Sequence, residues 1–246
     1  MLPNLDLPQK PGLFITGTGT AVGKTVIAGA VAVILREQGL KVGVFKPIST
    51  GCKYCWEGLV SAETRFLATC ANTNLPLDII SPVAYVTTAT PVVCAVREAR
   101  PVDFEAIAAA YRHVCDDCDI VLVEGVGGVR EPLDNESDLL DLAAQLNLPV
   151  VIVTHAERGT VNHTLMTLDC VRAADLRIAG VVVNYWGAAG ETVTGNTAPA
   201  VIADFGQVHI LAQVPYDETV DLEQAEPGEL VVTILSECQW KEIAGA

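Results

Sequence analysis

The residues best suited to chemistry lie near the start of the chain, in the glycine-rich segment GTGTAVGKT at residues 17–25. Lys24 supplies a mobile positive charge, and Thr25 supplies a hydroxyl of the kind that binds Mg²⁺ beside phosphates. An apolar run precedes the segment and an amphipathic pattern follows it, so the turn joins a strand to a helix N-terminus. Backbone N–H groups and the helix dipole attract an anion to such a turn. The segment therefore predicts a cradle for the phosphates of ATP or GTP.

The match to the common phosphate-binding loop is not strict. In that pattern, four residues separate a first glycine from the final Gly-Lys-Ser/Thr. Thr18 holds the position of the first glycine here, and Gly17 lies one residue earlier. A glycine-rich turn that binds nothing is the alternative interpretation. The strand before the turn and the helix after it favour phosphate binding.

Two more charged residues lie at the ends of predicted strands. Glu124 follows a strand predicted at residues 119–123, and Lys46 ends a strand predicted at residues 41–46. In P-loop enzymes an acidic residue at the position of Glu124 helps to hold Mg²⁺. A lysine beside the loop can stabilise the charge of the transferred phosphoryl group. An acidic turn and a solvated lysine are the alternatives. The order of the two loops along the chain favours the functional interpretation.

The elements that must position these residues alternate between strand and helix. Apolar runs predict strands at residues 13–16, 41–46, 119–123, 149–154, 178–184 and 209–214. Helical spacing of apolar residues predicts helices at residues 24–38, 61–70, 103–114, 138–146, 160–173 and 200–205, with Ser61 and Asp103 as N-caps. Residues 72–92 are predicted to be a loop region with short extended pieces, and residues 187–199 are predicted to be a loop.

Continuous Val/Ile/Leu strands are typical of a parallel sheet that helices cover on both faces. We therefore predict one doubly wound α/β domain of the P-loop NTPase type at residues 12–220. Residues 1–11 are expected to form a loose arm. Residues 221–246 are expected to pack on the same domain, with a final strand near residues 230–235. Ligands of such sheets bind beyond the carboxyl ends of the strands.

Composition limits the class of partner. The chain has 246 residues, of which 50% are hydrophobic, and a formal net charge of −15. Binding nucleic acid requires a surplus of Lys and Arg, so this charge argues against a nucleic-acid partner. No apolar run reaches the ~18 residues of a membrane helix, and the first residues lack the pattern of a signal peptide. We expect a cytoplasmic enzyme with small-molecule substrates and no membrane partner.

The chain has eight cysteines, and four of them form two pairs with CxxC spacing, Cys52/Cys55 and Cys115/Cys118. Two such pairs can hold a structural zinc ion or serve redox chemistry. The long gap between the pairs and the lack of an export signal favour the alternative, reduced and half-buried thiols.

Several motifs together resemble the dethiobiotin synthetase family. They are the glycine-rich loop at residues 17–25, the segment from Lys46-Pro47 to Thr50-Gly51, and the segment VEGVGG at residues 123–128. The resemblance continues through Ala89-Thr90-Pro91, Arg100-Pro101, residues 159–163 and Val214-Pro215, so it covers residues 12–216. No single motif is specific, but their combination is.

The resemblance implies an ATP-dependent closure of the ureido ring of biotin. One amine of a 7,8-diaminononanoate forms a carbamate with CO₂, and ATP phosphorylates that carbamate. The second amine then attacks the mixed anhydride and releases phosphate. This chemistry depends on positioning and charge neutralisation more than on a covalent nucleophile.

The resemblance also implies a role for individual residues. Lys24 and Lys46 would be the catalytic lysines, with Lys24 on the β- and γ-phosphates and Lys46 on the carbamate and γ-phosphate. Thr25 and Glu124 would bind Mg²⁺, and Glu63, at the place of a family Asp, would contact both the metal and the nucleotide. The other implied nucleotide-binding positions are Ala21, Val22, Gly23, Gly125, Val126, Gly127, Asn184, Tyr185, Val214, Pro215 and Tyr216.

For the substrate, the resemblance implies two groups of residues. Thr20 and Thr50 would line the substrate site. Gly159, Thr160 and Asn162 would offer the free N–H groups of a helix start to the substrate carboxylate. In the family this helix start comes from the neighbouring subunit, which implies a homodimer with the substrate site at the subunit interface.

The chain departs from the family pattern at three positions. Gly19 and Ala21 stand where the loop often carries Asp and Glu, and Glu63 replaces an Asp. Glu63 as an ordinary acid in the first turn of a helix is an open alternative. A ParA/MinD-like switch ATPase is the alternative function, although those proteins usually carry a lysine where Thr18 stands. A non-catalytic relative that keeps the fold is the third candidate.

Overall fold

The structure, a computed structural model, describes residues 2–184 and 193–246. The strands are β1 (Gly12–Gly17), β2 (Val42–Phe45), β3 (Ile48–Ser49), β4 (Lys53–Cys55), β5 (Gly58–Val60), β6 (Val83–Ala84), β7 (Ile120–Glu124), β8 (Val150–His155), β9 (Ile178–Asn184) and β10 (Ile210–Val214). The helices are α1 (Lys24–Glu37), α2 (Ala62–Ala71), α3 (Leu77–Ile80), α4 (Pro91–Arg97), α5 (Phe104–Asp116), α6 (Leu139–Leu146), α7 (Thr160–Ala173), α8 (Val193–Gly206), α9 (Glu229–Leu235) and α10 (Trp240–Ala244).

Six strands form a parallel sheet in the order β10-β9-β8-β1-β7-β2, with β1 between β7 and β8. Every residue of β1 and β7 is buried, as expected where both faces are covered. Alternate residues enter different cores: Phe14 and Val123 pack in one apolar cluster, and Ile15 and Leu122 in the other. The predicted doubly wound α/β fold is confirmed.

Side-chain caps fix the starts of several helices. Ser61 accepts a hydrogen bond from the backbone N–H of Thr64 at 3.0 Å, and Asp103 accepts one from Ala106 at 2.9 Å. Both N-caps agree with the sequence prediction, because a short side-chain acceptor satisfies N–H groups that have no partner in the first turn. These caps set where α2 and α5 begin, and the α2 start fixes the position of Glu63.

The prediction of a strand near residues 230–235 is wrong, because this segment forms α9. A short apolar run does not distinguish a strand from a helix. Two contacts decide for the helix. The Asp217 carboxylate accepts a hydrogen bond from the N–H of Leu230 at 2.9 Å, and Val231 and Leu235, one helical turn apart, are both buried in the core that contains α1.

The prediction of a loop at residues 187–199 is also wrong in part, because α8 begins at Val193. Residues 187–192 lie outside the described residues. Pro199 and a threonine-rich sequence weaken the helical signal here. In residues 72–92 the short strand β6 agrees with the predicted extended pieces, whereas α3 and the start of α4 at Pro91 were not predicted.

The two ends of the chain both lie against the domain. In the N-terminal arm Leu2 and Leu5 are buried. The N–H of Leu5 donates to Gln145 Oε1 at 2.8 Å, and Gln145 Nε2 donates to the carbonyl of Pro3 at 2.7 Å. Near the other end Trp240 is fully buried and donates its indole N–H to the carbonyl of Leu235. Across the described ranges, the helices are too short or too polar to span a bilayer.

Candidate nucleotide site

The loop between β1 and α1 presents free backbone donors. Its Gly23 is the N-cap of α1 and has a φ of 93°, a backbone conformation that favours glycine. Within the described part of the chain, the backbone N–H groups of Gly23, Lys24 and Thr25 have no acceptor. The N–H of Ile27 is already bonded to the carbonyl of Gly23 at 3.1 Å. The first turn of α1 therefore offers the unpaired donors that bind a phosphate.

Lys24 folds back over this loop, and its Nζ donates to the carbonyl of Gly19 at 2.8 Å. Burial lowers the pKa of Lys24 to about 8, although the nearby Glu124 opposes that shift. Among the described residues this carbonyl is the hydrogen-bond partner of the buried ammonium, which therefore lacks most of the hydrogen bonds that it had in water. An incoming phosphate would supply them.

Behind the loop, a buried network links three chain segments through Glu124. Oε1 of Glu124 accepts from the Thr25 hydroxyl at 2.8 Å and from Lys46 Nζ at 2.7 Å. Lys46 Nζ also lies 2.8 Å from Oε2 of Glu63, which extends from the first turn of α2. Lys46 and Glu124 are 3% and 2% exposed, whereas Glu63 is 45% exposed. The lysine is thus held between two carboxylates.

The network fixes the charge of Lys46. Burial alone would lower the pKa of this lysine, but the charges of Glu124 and Glu63 outweigh burial and raise the pKa above its usual value. In turn, Lys46 holds the pKa of Glu63 below its usual value, against the opposing effect of burial. Lys46 therefore keeps its charge well above neutral pH, whereas Lys24 loses its proton as the pH rises through about 8.

A magnesium ion fits the side chains around Glu124. Oε2 of Glu124 is buried and has no hydrogen-bond partner within the described ranges. Mg²⁺ is typically held by one or two carboxylates with substrate phosphates and water, and here the Thr25 hydroxyl lies alongside. Among residues 2–184 and 193–246, no group of three or more His, Cys, Asp or Glu could hold a metal. The unpaired Glu124 oxygen and the Thr25 hydroxyl are the donors that would suit a Mg²⁺ ion.

These groups share a cavity of about 550 Å³. It contains twelve of the residues predicted from sequence, Thr20, Ala21, Gly23, Lys24, Thr25, Lys46, Thr50, Glu63, Glu124, Gly125, Val126 and Gly127. It also contains Val26, Thr88, Ala89, Thr90, Glu131 and Leu222, which were not predicted as site residues.

Of these additional residues, Thr88–Thr90 belong to a recognisable sequence motif and Glu131 does not. Thr88–Thr90 reach the cavity because the N–H of Gly51 donates to the carbonyl of Thr87 at 3.0 Å, which ties that loop to Thr50. The Ala-Thr-Pro motif was a signal for this segment. Glu131 carries no such signal, since only the path of the chain after Gly127 brings it to the cavity wall.

The predicted nucleotide residues on β9 and β10 do not line this cavity. Asn184 is buried and donates its side-chain N–H to the carbonyl of Val22 at 3.0 Å, which places it against the phosphate loop. Val214 is buried, whereas Pro215 and Tyr216 are exposed after β10. Tyr185 lies outside the described residues. Whether these positions contact a base stays a prediction.

The predicted substrate residues at the helix start, Gly159, Thr160 and Asn162, do not line this cavity. Gly159 is the N-cap of α7, with a φ of 92°. The N–H groups of Val161 and Asn162 have no acceptor among the described residues. The hydroxyl of Thr160 is instead bonded inside the protein to Thr154.

The cysteines are free thiols throughout. Cys52 is buried, whereas Cys55 is exposed at the end of β4. Because the chain between them is extended, their Cα atoms lie about 10 Å apart, too far for a disulfide. Cys118 packs against Gly43, and burial raises its pKa to about 11. These surroundings suit reduced packing thiols.

Comparisons with protein families and with known proteins show what the chain is similar to. A family model described as an AAA domain matches residues 11–224. An ATP-dependent dethiobiotin synthetase from Thermodesulfovibrio yellowstonii is 34% identical over 231 residues, which cover 91% of this chain and 95% of that protein.

Solved structures with a similar fold include two cell-division proteins. The MinC:MinD complex of Aquifex aeolicus aligns with a TM-score of 0.56 at 15% identity, over 95% of this chain and 93% of that one. MinD with Mg-ADP from Pyrococcus horikoshii aligns with a TM-score of 0.52 at 17% identity, over 96% and 95%. At such identities the likeness shows a P-loop NTPase-like fold alone. The synthetase similarity extends over nearly the whole of both proteins, and on that ground the chain belongs to the dethiobiotin synthetase family.

Proposed function

We propose that this protein is an ATP-dependent dethiobiotin synthetase. Its substrates would be a 7,8-diaminononanoate, CO₂ and ATP, and its product a cyclic urea. One amine adds to CO₂ to form a carbamate, whose oxygen attacks the γ-phosphorus of ATP and displaces ADP. The second amine then attacks the carbamate carbon, and phosphate leaves as the ring closes.

The observation that carries this proposal is the position of Lys46. It is a fully charged, buried lysine in the same cavity as the phosphate loop, held by Glu124 and Glu63 rather than by solvent. A carbamate and a γ-phosphate are both anionic, and phosphoryl transfer between them increases the crowding of negative charge. A preorganised cation stabilises that charge without moving during the reaction.

The other residues of the cavity divide the remaining tasks. The unpaired N–H groups of Gly23, Lys24 and Thr25 would hold the phosphates, and Lys24 would exchange its Gly19 carbonyl for phosphate oxygens. Thr20 and Thr50 would bind the diamine, a role that their position on the cavity wall supports. Magnesium, when bound through Thr25, Glu124 and Glu63, would neutralise charge on the β- and γ-phosphates.

The substrate carboxylate requires a second anion site, for which α7 is our candidate. Its unpaired Val161 and Asn162 N–H groups suit a carboxylate. Because this helix start does not line the cavity of its own subunit, we propose that it completes the site of a neighbouring subunit in a homodimer. A cytoplasmic location is the natural one for an enzyme with these substrates.

Phosphate release from ATP tests the proposal directly. With Mg-ATP, bicarbonate and a diaminononanoate all present, we expect release at least about tenfold faster than when the diamine or bicarbonate is omitted. Mass spectrometry should detect the cyclic urea in the complete reaction alone. Equal release without both additions would instead indicate a switch ATPase, and no release in any mixture would indicate a non-catalytic relative.

A further inference from the structure

A cluster of four threonine hydroxyls joins the phosphate loop to the start of α7. The hydroxyls of Thr154 and Thr18 share a hydrogen bond of 3.1 Å, and those of Thr154 and Thr160 share one of 2.7 Å. Thr164 donates to Thr154 at 3.1 Å. Thr154 and Thr164 are fully buried, and Thr160 is 4% exposed. Thr154 therefore stands at the centre of the cluster.

The hydroxyl of Thr154 makes all the hydrogen bonds that a hydroxyl can make. A hydroxyl donates one hydrogen bond and accepts two, and Thr154 has three hydroxyl partners. Since Thr164 donates to it, Thr154 donates to one of the other two and accepts from the other. A shift of Thr18 would thus leave a buried hydroxyl of this cluster with an unpaired donor or acceptor, which costs free energy.

The cluster explains why threonine replaces the usual first glycine of the phosphate loop. The backbone N–H of Thr18 donates to the carbonyl of Val153 at 3.0 Å, and its hydroxyl bonds to the next residue of β8, Thr154. The beginning of the loop is therefore attached to β8 twice. Glycine at this position would keep the backbone bond and lose the link to Thr160 and Thr164.

We propose that Thr154 is a positioning residue that couples nucleotide binding at the phosphate loop to the first turn of α7. When a triphosphate orders the loop, Thr18 fixes the Thr154 hydroxyl, and Thr154 in turn fixes Thr160 and Thr164. The unpaired N–H groups of Val161 and Asn162 lie in the same turn. In the dimer of the proposed function, on which this consequence rests, nucleotide at one site prepares α7 to bind the substrate carboxylate at the neighbouring subunit's site.

Amide hydrogen exchange of the full chain tests the coupling with nucleotide alone. We expect a non-hydrolysable ATP analogue with Mg²⁺ to slow exchange at residues 160–164 about tenfold in the wild type, within the usual range of coupling between sites. Thr154→Ser, which keeps the hydroxyl, should retain the response, whereas Thr154→Val should lose it. Thr18→Val should also lose the response to nucleotide. Because this variant leaves Thr154 at the centre of the cluster unchanged, it provides a second test if Thr154→Val fails to fold.

Thr16→Val is the matched control. Thr16 is a fully buried threonine on the neighbouring strand β1, and its hydroxyl has no partner within the described residues. This variant removes a buried hydroxyl without removing a hydrogen bond, so the response at residues 160–164 should persist. An unresponsive α7 in the wild type, or an unchanged response in Thr154→Val and Thr18→Val, would overturn the coupling.

Steady-state kinetics test whether this coupling affects binding of the substrate. In Thr154→Val we expect the KM for the diaminononanoate to rise about tenfold with kcat changed less than about twofold, and Thr154→Ser to restore it. An unchanged KM would show that the coupling does not affect substrate binding. A wild type that does not turn over the diamine would instead overturn the proposed function, while the hydrogen-exchange result would still decide the coupling.

Discussion

The two halves of the sheet's carboxyl edge hold the phosphate loop in different ways. The charged half, defined by Lys24, Lys46 and Glu124, lies at the start of α1 and at the carboxyl ends of β2 and β7. The neutral half, defined by Thr154 and Asn184, lies on β8 and β9. Neutral hydrogen bonds attach the loop to the second half. Asn184 donates to the carbonyl of Val22, the hydroxyls of Thr18 and Thr154 share a hydrogen bond, and the N–H of Thr18 donates to the carbonyl of Val153.

The difference separates chemistry from positioning. Buried charges such as Lys46 and Glu124 are costly to desolvate, and removing one partner leaves the other charge uncompensated. Each neutral hydrogen bond contributes only about 1 kcal/mol. We therefore expect changes in the charged half to reduce turnover by orders of magnitude, and changes in the neutral half to alter affinity by several-fold. The following variants test that division.

Lys46→Ala should have the largest effect. Loss of this cation should reduce turnover about 10³-fold, comparable to the loss of a donor that stabilises a developing oxyanion, while the Kd for ATP stays mostly unchanged. The measurements are initial rates of phosphate release and calorimetric titration with Mg-ATP. Lys41→Ala is the control, since Lys41 forms an exposed ion pair with Asp117. Unchanged turnover in Lys46→Ala would remove Lys46 from the mechanism.

Thr25→Val should rank second. It removes the hydroxyl that lies with Glu124 at the proposed magnesium position but preserves every charge. We expect the Mg²⁺ concentration for half-maximal turnover to rise about 10- to 100-fold, the usual cost of disturbing a metal site. Thr69→Val, on the exposed side of α2, is the control. Full wild-type activity in excess chelator would contradict the magnesium assignment.

The sequence predicts the charged half well because its signals are local. A glycine-rich turn before Lys24 and strand ends at Lys46 and Glu124 place these residues at one edge once the sheet is parallel. All three line the cavity. The ion pairs between them were not predicted, because their geometry depends on the relative positions of three strands and α2.

The neutral half and the C-terminal segment were harder to predict. Thr154 is one polar residue in an apolar strand, and its partners lie up to 136 residues away in the chain. Glu131 likewise reaches the cavity through a turn that no motif specifies. The helix α9 was mistaken for a strand because a short, mostly apolar sequence fits both, and the hydrogen bond that favours the helix comes from Asp217.

The third largest effect should be the pH dependence of ATP binding, which we expect to follow the protonation of Lys24. Because burial lowers the pKa of Lys24 to about 8, its ammonium is lost as pH rises through that value. Phosphate binds the protonated form, so the Kd for Mg-ATP should be flat below pH 7.5 and rise by up to about tenfold per pH unit above pH 8. Titration at several pH values measures this.

Lys24→Arg is the matched control for that pH profile, since a guanidinium stays charged throughout. Its Kd for Mg-ATP should be higher than that of the wild type at pH 7 but should not rise between pH 8 and 9. A wild-type Kd that is constant over the same interval would show that Lys24 keeps its proton, and that the charged half is more polar than its burial indicates.

Asn184→Ala should have the smallest effect. Loss of its hydrogen bond to the Val22 carbonyl costs about 1 kcal/mol, so the Kd for Mg-ATP should rise about five- to tenfold. Turnover at saturating ATP should not change, because every charged group stays in place. Asn135→Ala, in an exposed loop, is the control. If Asn184→Ala reduced saturated turnover as strongly as Lys46→Ala, neutral contacts would be positioning the reacting groups themselves, and the division between the two halves would be wrong.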